Sequence, residues 1–201
     1  MFTVRLDESD RAALRTHFLA LGAEDRHLRF GCMVADASIE RYVERIDFSR
    51  DAVFGVNAEN RNFEGIAHIA LDNTHAELGV SVLELYRGRG IGTALVSRAA
   101  AHARNRHIDL LFMQCLSENR AIMRIATKLG MRVVTEGPAS EASLSLPSAT
   151  PLGILREMLV DRIALCDTAL RASLLPQAAA ATEPQGNAQT PRDRATAQPR
   201  V

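Results

Sequence analysis

Apolar positions recur along the chain with two periods, and each change of period marks an element boundary. Phe2 to Leu6 alternate as a short opening strand, and after Ser9-Asp10 the spacing of Ala12, Leu14, Phe18 and Leu21 predicts a helix closed by Gly22. Arg26-His27-Leu28-Arg29-Phe30 reads as a basic connector, followed by a helix carrying Ile39, Tyr42, Val43 and Ile46, with Ser38 or Asp36 as its cap. Asp51 to Val56, Phe63 to Leu71 and Ala76 to Leu83 alternate as three strands, joined by turn-forming residues at 57–62 and 72–75, which makes an antiparallel meander.

The period then lengthens. Leu95, Val96, Ala99 and Ala103 mark an apolar helix, 108–115 a strand, and Glu118 to Leu129 a helix that Gly130 stops. Two closing strands, 131–135 and 142–146, flank the turn signal Gly137-Pro138. Leu155, Leu159, Ile163, Cys166 and Leu170 fall on one face of an amphipathic helix over 152–175, expected to dock through that face, on this core in preference to a second copy. From Pro176 onward almost no large apolar residue remains to repay the entropy of ordering, so 176–201 reads as a disordered tail.

Composition adds exclusions. The length of 201 residues suits one domain with a short extension: a domain over 1–150, the helix over 151–175 and the tail. With 24 basic and 24 acidic residues the net charge is zero, so no global field draws the chain to nucleic acid or to an anionic membrane. No apolar run approaches the roughly 18–20 residues that cross a bilayer. Neither nucleic acid nor membrane is expected as a partner. Three cysteines, Cys32, Cys115 and Cys166, form no C-x-x-C pair and fit a reducing cytoplasm, and Met1 to Asp7 turn charged too soon for a signal peptide. The six histidines show no metal-ligand spacing, so no metal is expected.

The candidate chemistry lies in Arg87-Gly88-Arg89-Gly90-Ile91-Gly92-Thr93, between the end of a strand and the start of a helix. Unpaired amides and the positive end of the helix dipole favour an anion there, and glycines let the backbone approach it. Two arginines and the Thr93 hydroxyl add donors, which points to a phosphate or pyrophosphate; a plain strand-to-helix turn is the alternative. A P-loop needs Gly-Lys-Ser/Thr, and Gly92-Thr93 lacks the lysine. The dinucleotide fingerprint needs G-x-G-x-x-G at the opening of a parallel sheet, whereas Gly88, Gly90 and Gly92 follow a meander. Coenzyme A is the best remaining candidate.

At this point the chain resembles the GNAT acetyltransferase superfamily. The family's Arg/Gln-x-x-Gly-x-Gly/Ala signature is similar to Arg87 through Gly92, preceded by Val82 on its strand, and its second segment resembles Asn119-Arg120-Ala121-Ile122 through Lys128-Leu129-Gly130-Met131. The resemblance covers about residues 1–147 and implies an α+β fold with a mixed, mostly antiparallel sheet flanked by helices. It implies acetyl-CoA as co-substrate: the amides of Arg89 to Gly92, with Arg87 and Thr93, would hold the pyrophosphate, the backbone edge near Val82 and Leu83 would pair with the pantetheine arm, and Asn119 would bond the cofactor. Read from the residues alone, Asn119 could equally belong to the helix start beside Ser117.

Acetyl transfer to an amine needs a base. By period two, Glu77, Gly79 and Ser81 share one face of their strand, and a mid-sheet glutamate calls for a cleft or a partner. If the 72–75 turn pairs Leu71 with Ala76, then Ala70 opposes Glu77, His68 opposes Gly79, and His68 and Glu77 become diagonal neighbours, a base and its orienting partner. Ala76-Glu77-Leu78 is also similar to the strand on which the histone-type and bacterial protein-lysine branches of the family carry their general-base glutamate. One departure stands out: Ala126 occupies the position where many members carry a tyrosine that protonates the departing thiolate, which leaves water, a nearby group such as Ser117 or Cys115, or a weak enzyme as the alternatives. The expected activity is direct transfer in a ternary complex to a small amine or a protein lysine, the acceptor covered by the Arg26-to-Ile46 segment, in a monomer or homodimer. The alternative is a non-catalytic acyl-CoA-binding or regulatory module.

Overall fold

A computed structural model of the chain describes residues 2–57 and 62–174, with the side chains of residue 57 and of 164–174 outside the description. The expected tail over 176–201 and most of the 57–62 turn also lie outside the described residues. The strands are β1 (Val4–Leu6), β2 (Ala52–Asn57), β3 (Phe63–Asp72), β4 (His75–Val82), β5 (Leu110–Leu116), β6 (Arg132–Glu136) and β7 (Ala139–Ser145). The helices are α1 (Arg11–Leu19), α2 (Ala23–Phe30), α3 (Asp36–Glu44), α4 (Ile91–Asn105), α5 (Arg120–Lys128) and α6 (Pro151–Leu174). Seven strands form one sheet in the order β1-β2-β3-β4-β5-β7-β6, every pair antiparallel except β4 with β5.

Strand alternation sends two apolar sets to opposite faces. Ala67, Ile69, Ala76 and Leu78 meet Leu95, Val96 and Ala99 of α4 and Ala126 of α5 in one core. Val53, Phe63 and Ile66 meet Leu14 and Phe18 of α1 and Ile39 and Val43 of α3 in the other. Each fully buried Leu, Ile or Phe in these layers contributes about 1.5–3 kcal/mol of transfer free energy. The meander has the expected register, with Leu71 opposite Ala76, Ala70 opposite Glu77 and His68 opposite Gly79.

Four local readings change. Residues 26–30 are not a connector but most of α2, which Gly22 enters in extended conformation and Gly31 ends at φ 75° with its amide on His27 O. Few apolar side chains announce that helix because polar contacts hold it. Arg26 donates to Leu21 O (2.9 Å) and Leu19 O (2.8 Å) at the end of α1 and pairs with Asp36 at 2.6 Å. The same ion pair takes Asp36 away from capping, and α3 starts after Ala35 with no side-chain cap from Asp36 or Ser38. Before α1, a single 3₁₀ turn over Glu8–Asp10 is capped by Asp7, whose carboxylate accepts from Ser9 N at 2.8 Å while Asp10 accepts from Asp7 N at 3.1 Å.

The fourth concerns α6. It packs against α4 and β1 of its own chain, but through Gly153, Ile154, Glu157, Val160 and Asp161, while Leu152, Leu155, Met158, Leu159 and Ile163 stay exposed. The physical reason is α4, whose Arg98 and His102 are buried and need carboxylates, supplied by Glu157 and Asp161. Satisfying buried charge outweighs covering the leucine stripe.

Candidate active site

β4 and β5 run together only from His75 to Glu77, paired with Leu110 to Phe112, and then diverge. The crossover through α4 forces the parallel pairing, and β7 holds β5 along its whole length, so β4 is left with one free edge beyond Glu77. Leu83 N donates to Glu64 O at 2.9 Å. In an antiparallel ladder alternate residues turn their peptide groups to the same neighbour. Ser81 and Gly79 therefore face β3, and Val82 and Val80 turn theirs into the gap. This corrects one expectation: Leu83 is not part of the open edge, because its amide is used by β3 and its side chain packs with the α1–α3 core. Val80, one period before Val82, takes its place.

The gap opens into two adjoining cavities. One, about 510 Å³, runs from Val80 and Val82 past the glycine loop to Ile122 and Ile125 of α5. Gly88 (φ 75°) and Gly90 (φ 83°) take left-handed conformations that favour glycine, and they turn the chain into α4. No side chain caps α4, and the amides of Ile91, Gly92 and Thr93 have no acceptor among the described residues, so three donors point out of a positive helix end. Gly92 also lets α4 meet α5, since a Cβ there would lie 2.8 Å from Ile125 Cδ1. Arg87 pairs with Asp25 of α2 and donates to Val82 O at 3.3 Å, which ties the loop to the gap. Arg89 lies over the Tyr86 ring, 5.4 Å from its centroid.

The second cavity, about 490 Å³, is lined by Glu77, His68, Tyr42, Gly79 and the inner half of β5. Glu77 is exposed to it and His68 half-buried, so the expected neighbours do share one wall. They are not bonded to each other. His68 Nε2 lies 3.0 Å from Asp51 Oδ2 and Nδ1 lies 2.7 Å from the Tyr42 hydroxyl, which itself accepts from Arg29 Nη2 at 2.9 Å. Since Arg29 only donates, Tyr42 donates onward to Nδ1, and Nε2–H donates to Asp51. Both nitrogens of His68 are thus occupied. Burial pushes its pKa below the ordinary histidine value, against the pull of the Asp51 carboxylate. Burial also raises the Tyr42 phenol.

Asn119 borders both cavities and caps α5, its Oδ1 accepting from Ile122 N at 3.2 Å. Ser117 donates to Gly137 O at 2.8 Å. Cys115 donates to Ser140 O at 3.4 Å, and burial raises its pKa, so it stays a thiol. Ala126 is buried in α5 and offers no donor. Arg29, Tyr42, Asp51 and Val80 are the site residues that pattern reading passes over: the first inside an apparent connector, the second counted as core, the third as a strand start. Among the described residues, no three His, Cys, Asp or Glu side chains gather as a metal site, and no helix is long and apolar enough to cross a membrane.

Residues 24–131 match the family model described as the acetyltransferase (GNAT) family. No curated protein matches the chain. Among solved structures, the GNAT domain of S. lividans PAT is 18% identical, with 72% of this chain and 89% of that one covered at a TM-score of 0.62. The structure of yncA from Salmonella typhimurium with its cofactor acetyl-CoA is 20% identical over 75% and 96%, at 0.58. A ribosomal-protein-alanine N-acetyltransferase from Brucella melitensis is 17% identical over 73% and 100%, at 0.57. At these identities the likeness is one of fold.

Proposed function

The chain belongs to the GNAT acetyltransferase family, and from that premise we propose that it transfers the acetyl group of acetyl-CoA directly to a primary amine, with Glu77 as the base. The observation that carries this reading is the continuity of the two cavities, which share Val80, Asn119 and Ile122: three free amides at one end, an exposed carboxylate at the other, and an unpaired strand edge between them. The residues fit the co-substrate. A pyrophosphate is held by the amides of Ile91 to Thr93 at the positive end of α4, with Gly88 and Gly90 admitting close approach. An amide-bearing arm adds itself to the free edge at Val82 and Val80, as an extended peptide adds to a sheet. Asn119 has its side-chain NH₂ left for the arm after capping α5.

Glu77 then takes the proton of the acceptor ammonium, directly or through a water, and the Val80 amide polarises the thioester carbonyl. His68, with both nitrogens committed, fixes Tyr42 and takes no proton. The acceptor enters between α2, α3 and the β4–β5 gap. An amine-bearing small molecule or a protein lysine fits this opening, and the naming of one relative for ribosomal-protein alanine adds a protein α-amine to the acceptors worth assaying.

Calorimetric titration of the protein with acetyl-CoA, with NADH and ATP in parallel, tests the reading. Saturable micromolar binding of acetyl-CoA alone is expected. Folded protein that leaves acetyl-CoA unbound would reduce the glycine loop to a turn, and the proposed function would fall.

A further inference from the structure

The cleft contains one charge that neither the motif nor the fold accounts for. Arg29, in the last turn of α2, lines both cavities and so stands at their junction. Its guanidinium lies over Gly79, whose missing side chain makes the room. The rings of Phe30 and Tyr42, with centroids 5.0 and 5.6 Å from its Cζ, hold it in place. Its one hydrogen bond to a described residue goes to the neutral Tyr42 hydroxyl, and its Nε is buried with no partner.

A half-buried guanidinium ordinarily brings in a carboxylate. Elsewhere in this chain Asp25 serves Arg87, and Glu157 and Asp161 serve Arg98. Arg29 forms no ion pair with a described residue. The titratable groups around it are Tyr42 from α3, His68 from β3, with Asp51 behind it, and His17 from α1. Glu77, on the same face of β4, lines the cavity without pairing with it. The positive charge is held in reserve at the point where the cofactor end of the cleft meets the acceptor end.

We propose that Arg29 is a catalytic residue whose charge receives the thiolate of coenzyme A as it leaves. The inference rests on the acetyl-CoA reading above. The arm on the Val82–Val80 edge brings its thioester to the junction, because the edge ends there. Glu77, exposed to solvent, first passes the ammonium proton on to bulk water. The amine nitrogen then bonds to the carbonyl carbon, the C–S bond breaks with its electron pair on sulfur, and the second proton lost by nitrogen goes to Glu77. Sulfur then needs no proton, since the guanidinium balances its charge. This accounts for a site in which Ala126 has no donor and Ser117 is turned to Gly137 O. A cation within about 4–6 Å lowers the pKa of an acid by one to three units, which is the stabilisation such a leaving group needs.

Coenzyme A itself, the thiol product, is the probe. Titrating the complex between about pH 6 and 10 while following thiolate absorbance in the ultraviolet gives the pKa of the bound thiol. It is expected about one to three units below that of free coenzyme A in the wild type, unshifted in Arg29→Met, and partly shifted in Arg29→Lys. Gly79→Ala, which displaces the guanidinium without removing it, serves if Arg29→Met does not fold. Calorimetry on the same samples separates the two ideas. Absence of coenzyme A binding in the wild type overturns the acetyl-CoA reading, whereas binding with an unshifted thiol, or a shift that survives in Arg29→Met, overturns the role of Arg29 alone.

Discussion

Arg29 occupies the space in which a side chain at position 79 would begin: a Cβ built on Gly79 overlaps both terminal nitrogens and the carbon of the guanidinium. Glycine is needed there for room, not for backbone freedom, since its φ lies outside the left-handed range. Gly79→Ala should therefore fold, at a cost of about 1–3 kcal/mol for overpacking, and push Arg29 off the junction. The expected outcome is a turnover that falls with little change in acetyl-CoA affinity. Wild-type turnover in a folded Gly79→Ala protein would show that the position of Arg29 does not matter.

Glu77 is exposed to the second cavity and lies away from the loop, so proton transfer and cofactor binding can be tested separately. Glu77→Gln keeps shape and removes the proposed base. Turnover with the best amine found by screening should drop by roughly 10²–10⁴-fold, the usual contribution of a general base, while calorimetry with acetyl-CoA stays as in the wild type. An unchanged rate removes Glu77 from the mechanism.

The loop offers a complementary test on the cofactor end. Gly90 sits at φ 83° immediately before α4, where it aims the amides of Ile91 to Thr93. An alanine there pays about 1–2 kcal/mol for the left-handed conformation or leaves it. In either case acetyl-CoA binding should weaken, and Glu77-dependent chemistry should recover at saturating acetyl-CoA. Equal affinity in Gly90→Ala and the wild type would detach the loop from cofactor binding.

Much of this cleft could be read in the sequence because it depends on period two. A turn at Asp72 to His75 fixes Ala70 opposite Glu77 and His68 opposite Gly79 for any chain that makes that hairpin. Val80 follows from the same rule, although the motif points only at Val82. Arg29 was hidden by its helix: α2 has only Leu28 and Phe30 as large apolar residues, and what holds it, Arg26 on the carbonyls of α1, is tertiary. The leucine stripe of α6 misled for the opposite reason. Periodicity reports an apolar face, but which face docks is decided by Arg98 and His102, which lie 55 to 63 residues before their carboxylates.

His17 links the site to acid sensitivity. It is buried under β4, with Nδ1 2.8 Å from Phe63 O and Nε2 2.8 Å from Ser81 Oγ, so the neutral ring donates to the carbonyl and accepts from the hydroxyl. Burial lowers its pKa from 6.5 to about 4. Between those values the unfolded chain binds more protons than the native one, so stability is complete above the unfolded pKa and falls as pH falls. At pH 5 the loss is about 2 kcal/mol. Urea unfolding should show that decrement between pH 7 and 5, and His17→Asn should shrink it, with His68 supplying a remainder. A pH dependence untouched by His17→Asn would place the acid sensitivity elsewhere.

The attachment of α6 is the least expected contact in the fold and gives the sharpest stability prediction. Arg98, 7% exposed, meets Glu157 at 3.3 Å, pairs with Asp161, and lies 4.7 Å from the Phe54 centroid. Glu157 also accepts from His102 at 2.6 Å and Asn105 at 2.7 Å. Burial opposes ionisation of Glu157, yet the bonds from His102 and Asn105 and the charge of Arg98 outweigh it and bring the pKa from 4.5 to about 2. The stability this carboxylate adds is therefore present above pH 4.5 and is lost as pH falls toward 2. Arg98→Met takes a buried cation away from both carboxylates, so unfolding should cost about 3–5 kcal/mol less. It should also open α6 to limited proteolysis while the sheet stays protected. Because burying the ions is itself costly, adding Glu157→Gln and Asp161→Asn to Arg98→Met should restore part of the loss. If the triple variant is no better than Arg98→Met, the helix is held by Ile154 and Val160 packing, and the ion pairs only choose which face turns inward.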